Sequence, residues 1–176
     1  MTALAWLPAT ERPDLLAPSA RDALAASPGL ASHVEVAEID PAVADTQALV
    51  DSSDVTLEEC ANCIVVLGRR GEAERIAACL VLATTRADVN RTVRKALDVR
   101  KASFMPMERA VAETGMEYGG ITVLGLPDHW PVLVDERVVE QPQVVVGSGL
   151  RISKLRLPGS LVSQLPAVQV VPGLAS

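Results

Sequence analysis

Residues 59–84, ECANCIVVLGRRGEAERIAACLVLAT, hold two apolar runs on either side of the polar tetrapeptide Arg69-Arg70-Gly71-Glu72. The runs CIVVLG and RIAACLVLAT are rich in Val, Ile and Leu, and a Gly-containing polar turn between such runs reads as a β-hairpin. The two strands are therefore expected to be antiparallel neighbours. Cys60 and Cys63 stand in a C-x-x-C spacing where the first strand begins. Structural zinc takes four ligands, and the chain adds only Cys79, His33 and His129 to that pair. A redox pair belongs at a helix N-terminus, where the dipole lowers the thiol pKa, and this pair instead leads into a strand. Small buried apolar residues are the expected role of both thiols.

Upstream of the hairpin, Asp45 to Ala61 reads as two short helical pieces broken by Ser52-Ser53-Asp54, the second capped by Thr56. HVEVAEI alternates with period two and predicts a strand. Ser19 is the expected N-cap of a short helix that Pro28-Gly29 ends. Residues 1–18, with Pro8, Pro13 and Pro18, read as an irregular lead-in. Downstream, Asp88 opens a helix to about Leu97, with Val89, Val93 and Leu97 on one face. A short helix Met107 to Thr114 is ended by Gly115. Strands PVLVD and QVVVGSG, a helix after Pro158 and a last strand VQVV complete the chain. This succession predicts one domain over residues 19–176, of the α/β (α+β) class, with one mixed and mostly antiparallel sheet flanked by helices.

A chain of 176 residues that is 49% hydrophobic can bury a sizeable core. With one Phe, one Tyr and two Trp, that core is aliphatic, and aromatic platforms for single-stranded nucleic acid are not expected. A net charge of -6 argues against coating DNA or RNA by bulk electrostatics. Basic residues nevertheless cluster at Arg69-Arg70, Arg91 to Lys101 and Arg151 to Arg156. There is no apolar run long enough for a membrane span and no signal-peptide pattern, and the three cysteines are an odd number. These features point to a cytoplasmic protein.

Neither His33 nor His129 has a companion at catalytic spacing, and Ser148, between two glycines, lacks the context of a nucleophile elbow. The segment GGITVLG, Gly119 to Gly125, is more informative. Its glycines can let backbone N–H groups approach a ligand closely, as in an oxyanion site, or can simply form a turn or bulge. VVVGSGLR repeats the device and ends in Arg151, which could meet an anionic group.

In their order, ANCIVVL, RIAACLVLATTRADVN, VRKASF, EYGGITVLGLP, PVLVD, VVVGSGLR and a terminal AVQVV resemble the YbaK/EbsC family. This is the aminoacyl-tRNA deacylase domain that also occurs as the editing insertion of bacterial prolyl-tRNA synthetases, and the likeness runs from about Val34 to the C-terminus. The resemblance implies hydrolysis of the ester joining a wrong, small amino acid to tRNA. It implies no metal or other cofactor, water attack helped by the terminal ribose hydroxyl, and an oxyanion held by backbone donors. The implied catalytic positions are Asn62, Gly119, Gly120 and Thr122. The implied substrate pocket adds Cys63, Ile121, Val123, Gly125, Asp135, Gly147, Ser148, Gly149 and Arg151. The implied partner is the acceptor end of a mischarged tRNA, with an aminoacyl-tRNA synthetase as a further one, and neither DNA nor a membrane.

Two positions depart from the family pattern. Asn62 stands where the family typically has lysine, and an amide supplies no positive charge. Val123 stands where proline is usual, so the loop loses a fixed φ. A free-standing editing deacylase is the first reading. A catalytically impaired module that binds an amino acid or nucleotide is the alternative.

Overall fold

A computed structural model describes residues 2–176. The strands are β1 (Leu7–Pro8), β2 (Glu35–Glu38), β3 (Ala61–Arg70), β4 (Ala73–Leu82), β5 (Lys101–Phe104), β6 (Val132–Asp135), β7 (Val144–Gly147), β8 (Ser153–Leu157) and β9 (Val168–Val171). The α-helices are α1 (Pro18–Ala25), α2 (Pro28–Ala31), α3 (Thr46–Ser52), α4 (Arg94–Ala96), α5 (Met107–Thr114), α6 (Glu136–Val139) and α7 (Gly159–Val162).

The central hairpin forms as its composition dictates. β3 and β4 pair antiparallel from Ala61 opposite Leu82 to Arg70 opposite Ala73, turning through Gly71 and Glu72. Gly71 takes the left-handed φ of +64° that the tight turn requires. β5 adds antiparallel to β3, and β6 and β9 add in parallel beyond β4, giving the order β5-β3-β4-β6-β9.

The single expected sheet is in fact divided into two. β1-β2-β8-β7 form a second, antiparallel sheet, and a parallel bridge between Cys60 and Val145 ties β7 to the start of β3. There the Val145 N–H donates to the Glu59 carbonyl at 2.7 Å. Division follows because β7 finds its antiparallel partner in β8, which reads in sequence as part of a basic cluster rather than as a strand. Side chains from both sheets, among them Val36, Leu155, Val146, Ala78, Leu80 and Val134, meet in one apolar core.

Local readings fare differently with their physical context. Asp88 caps its helix by accepting from the Arg91 and Thr92 amides. The first turns, Val89–Val93, are wound as a π-helix, and Val89, Val93 and Leu97 pack on Val66, Cys79 and Val81 as expected. Ser19 is not an N-cap: α1 begins at Pro18, whose locked φ suits a first turn, and Ala17 precedes it. Thr56 does not open a helix. Its N–H and Oγ1 both donate to Glu59 Oε2, at 2.9 and 2.8 Å, closing a single turn. Residues 2–18 contain β1 and two 3-10 turns. Leu15, Leu16 and Ala17 enter the main core, and Ala17 N–H donates to the Ser148 carbonyl at 3.1 Å.

Candidate active site

A cavity of about 500 Å³ opens between the start of β3, the Ala44–Thr46 segment leading into α3, the Tyr118–Ile121 loop and the end of β7. Its lining includes Asn62, Cys63, Gly119, Ile121 and Gly147. The glycine loop and Asn62 therefore face one space. Phe104 and Tyr118, the chain's one Phe and one Tyr, also line it, 63% and 58% exposed. The sequence offered too few aromatics to suggest a platform, yet both of these sit at the same opening.

The loop's backbone divides its donors. Gly120 N–H is spent on the Glu117 carbonyl at 2.9 Å, and Thr122 N–H points at Met116 Sδ. Among the described residues, the N–H groups of Gly119, Ile121, Val123, Leu124 and Gly125 donate to no protein acceptor, and of these residues Gly119 and Ile121 line the cavity. Gly119 adopts φ +84°, which favours glycine. Gly120 is glycine for a different reason. A Cβ there would lie 2.6 Å from the Leu150 carbonyl oxygen, and one on Gly147 would run into the Gly120 carbonyl. These two glycines allow the loops to touch each other.

Other expected pocket residues lie elsewhere. Val123 and Gly125 line a separate, largely apolar cavity of about 200 Å³ with Leu30, Trp130 and Leu165. Thr122 is fully buried, its hydroxyl without a partner among the described residues. Ser148 is inward-facing, its Oγ 2.7 Å from Ser153 Oγ. Gly149, at φ +86°, packs against Ala17. Arg151 is a brace: Nη1 donates to the Tyr118 carbonyl at 3.2 Å and Nη2 to the Pro41 carbonyl at 3.0 Å. Asp135 is fully buried at the start of α6, accepting from Arg137 Nε at 2.8 Å and from Ala175 N–H at 2.9 Å. Burial pushes its carboxyl up, but the hydrogen bonds from Arg137 and the Ala175 amide outweigh that and hold it below the usual carboxylate range. It is a structural pin, because all its acceptor capacity is spent on the fold.

Sequence reasoning missed Lys154. It stands opposite Gly147 in the β7–β8 register, is 8% exposed and lines the cavity. Burial lowers its pKa, Cys60 and Asp45 act against that, and Arg151 adds to it. The signal available was alternation: Ser153, Leu155 and Leu157 are apolar or small, and the run of basic residues concealed a strand. Asn62 sits at the rim, exposed, with Oδ1 accepting from Thr46 Oγ1 at 3.0 Å.

The thiols are free. Cys60 packs with Ile39, Leu49 and Val145, while Cys63 lies against the core between the sheets, so the spacing does not bring them together. Burial pushes Cys60 up to about 11 and Cys79 to about 12, and raises Cys63 further, which leaves no thiolate nucleophile near neutral pH. Both histidines are exposed. Among the described residues, no three His, Cys, Asp or Glu groups converge as a metal site, and no helix is long and apolar enough to cross a membrane.

Two solved structures share this architecture. One, described as a proposed trans-editing enzyme for prolyl tRNA synthetase, superposes with TM-score 0.72 at 20% identity, over 89% of this chain and 97% of that one. The other, the hypothetical protein APE2540, gives TM-score 0.73 at 15% identity, over 85% of this chain and 95% of that one. Such identities speak for the fold alone. No curated protein sequence matches the chain. The model of the aminoacyl-tRNA editing domain matches residues 40–163, which contain the hairpin, the glycine loop and the whole β7–β8 pair. The chain belongs to the aminoacyl-tRNA editing domain family, the YbaK-like group to which its motifs point.

Proposed function

We propose that this chain is a free-standing hydrolase that removes a small, wrongly attached amino acid from tRNA. The observation that carries the reading is that Gly119 and Ile121, whose N–H groups have no protein acceptor among the described residues, both line a cavity of about 500 Å³. That volume suits an aminoacyl group with part of the terminal ribose. An aminoacyl ester is already activated, so the site has chiefly to place a water and stabilise the oxyanion.

The attacking water's oxygen bonds to the ester carbonyl carbon, and the carbonyl electron pair moves onto its oxygen, toward Gly119 and Ile121. When that pair returns, the bond to the ribose oxygen breaks. The ribose oxygen takes the proton given up by the water, releasing the free amino acid and an uncharged tRNA end. The neighbouring ribose hydroxyl orients the water. Arg151 fixes the loop by holding the Tyr118 carbonyl, and Asn62 is held at the rim by Thr46. Phe104 and Tyr118 offer apolar faces to the terminal base. The partner is the acceptor end of a mischarged tRNA, delivered free or by a synthetase.

The test is deacylation by purified protein of a panel of mischarged tRNAs bearing alanine, serine, cysteine and larger residues. At least one small aminoacyl ester should be cleaved faster than it hydrolyses spontaneously. No acceleration across the panel would favour a module that binds its ligand without turning it over.

A further inference from the structure

Lys154 is the feature of this cavity that the reading above leaves unused. Its side chain leaves β8 inside the fold, 8% exposed, and its Nζ donates to the Ala44 carbonyl at 2.8 Å. That is its one protein acceptor among the described residues, and no carboxylate lies within 4.0 Å. A buried ammonium ordinarily has a paired anion and a full set of acceptors. Lys154 has three N–H donors and one protein partner, so two donors are unspent on the wall of a cavity. Its strand partner is Gly147, whose Cα is packed on the Gly120 carbonyl, so β8 and the glycine loop converge on the same wall.

We propose that Lys154 is a catalytic residue of this cavity: its ammonium hydrogen-bonds the oxygen of the ester carbonyl as that oxygen becomes an oxyanion, beside the Gly119 and Ile121 amides. No proton is transferred to that oxygen; the electron pair it gains on water attack returns on collapse. The assignment rests on the editing reading and adds a cation to a site that position 62 leaves uncharged. The titratable groups around it are Asp45, Arg151 and the Cys60 thiol, which burial keeps neutral near pH 7. Asp45, exposed and on the cavity wall, is left to face the substrate's own α-ammonium. The Ala44 carbonyl fixes the direction of Nζ.

The test uses two probes on the full chain: an adenosine whose ribose carries alanine through an amide, which is neutral at the scissile centre, and its phosphonate counterpart, a tetrahedral anion. Wild type should bind the phosphonate at least about tenfold more tightly than the amide, and Lys154→Met should lose that preference while its amide Kd stays within about twofold. Turnover of the best aminoacyl-tRNA should fall about a hundredfold in kcat with KM little changed. Retained amide binding is the check that the variant is folded, and Lys154→Gln serves in its place if Lys154→Met is not. A variant that keeps the anion preference overturns the assignment while leaving the editing reading standing. Wild type binding neither probe overturns both.

Discussion

The ammonium of Lys154 and the carbonyl of Ala44, 2.8 Å apart, join β8 to the segment that leads into α3, and the next residues of that segment, Asp45 and Thr46, line the cavity. An ammonium held so is a burden on folding. Lys154→Met should therefore raise stability at neutral pH by roughly 1 kcal/mol, since an apolar side chain of similar length needs no paired charge. The folded-state pKa lies below the ordinary 10.5, so between the two values the unfolded chain binds more protons and wild-type stability rises with pH. The variant's advantage should be full below the lowered pKa and disappear as pH approaches 10.5. Urea denaturation at several pH values measures it, and a variant less stable than wild type at neutral pH would contradict the account.

Gly120→Val should abolish deacylation and also destabilise the fold, by roughly 2 kcal/mol, because the added atoms meet the Leu150 backbone rather than open space. Thermal unfolding distinguishes this from a ligand-only effect: an unchanged Tm would show that the position is open.

Asn62→Lys tests where the cavity's charge resides. The substitution removes the acceptor for Thr46 Oγ1 and adds a second cation at the rim. With Lys154 already supplying charge, kcat/KM should change by less than about threefold and become more sensitive to salt. A rise above tenfold would place the cation that matters for turnover at position 62 instead of 154.

How far the sequence discloses this depends on how local each signal is. The β3–β4 hairpin, the Asp88 cap and the Val89-Val93-Leu97 face are written in neighbouring residues, and they form as read. Lys154 is not legible, because whether a lysine in a basic run points outward is decided by the pairing of β8 with β2 and β7, more than a hundred residues apart at its widest. Asp135 misleads for the same reason. The family resemblance implies a place for it in the substrate pocket, but its carboxylate is consumed by Arg137 and Ala175. Glycines at 120 and 147 announce close approach without saying to what, and here each is needed by the other's loop.

Asp135→Asn should leave kcat of the folded protein unchanged within about twofold while lowering stability by roughly 2–3 kcal/mol, because it breaks a buried charged hydrogen-bond set. The depressed carboxyl adds stability that is present above the unfolded-state pKa and lost as pH falls through the folded one. The gap between wild type and variant should accordingly narrow in acid, which denaturation at neutral and acidic pH would reveal.

The most direct measurement is amide mapping by two-dimensional NMR as the alanyl-amide adenosine is added to the ¹⁵N-labelled protein. Saturation should shift the Gly119 and Ile121 amides and the Lys154 side-chain signal, which is tractable because the chain has three lysines. Val123, Gly125 and the Trp130 indole, around the smaller cavity, should stay in place. Shifts confined to that second group, or none at a concentration that saturates wild-type inhibition, would show that the aminoacyl end is not held between Asn62, the glycine loop and Lys154.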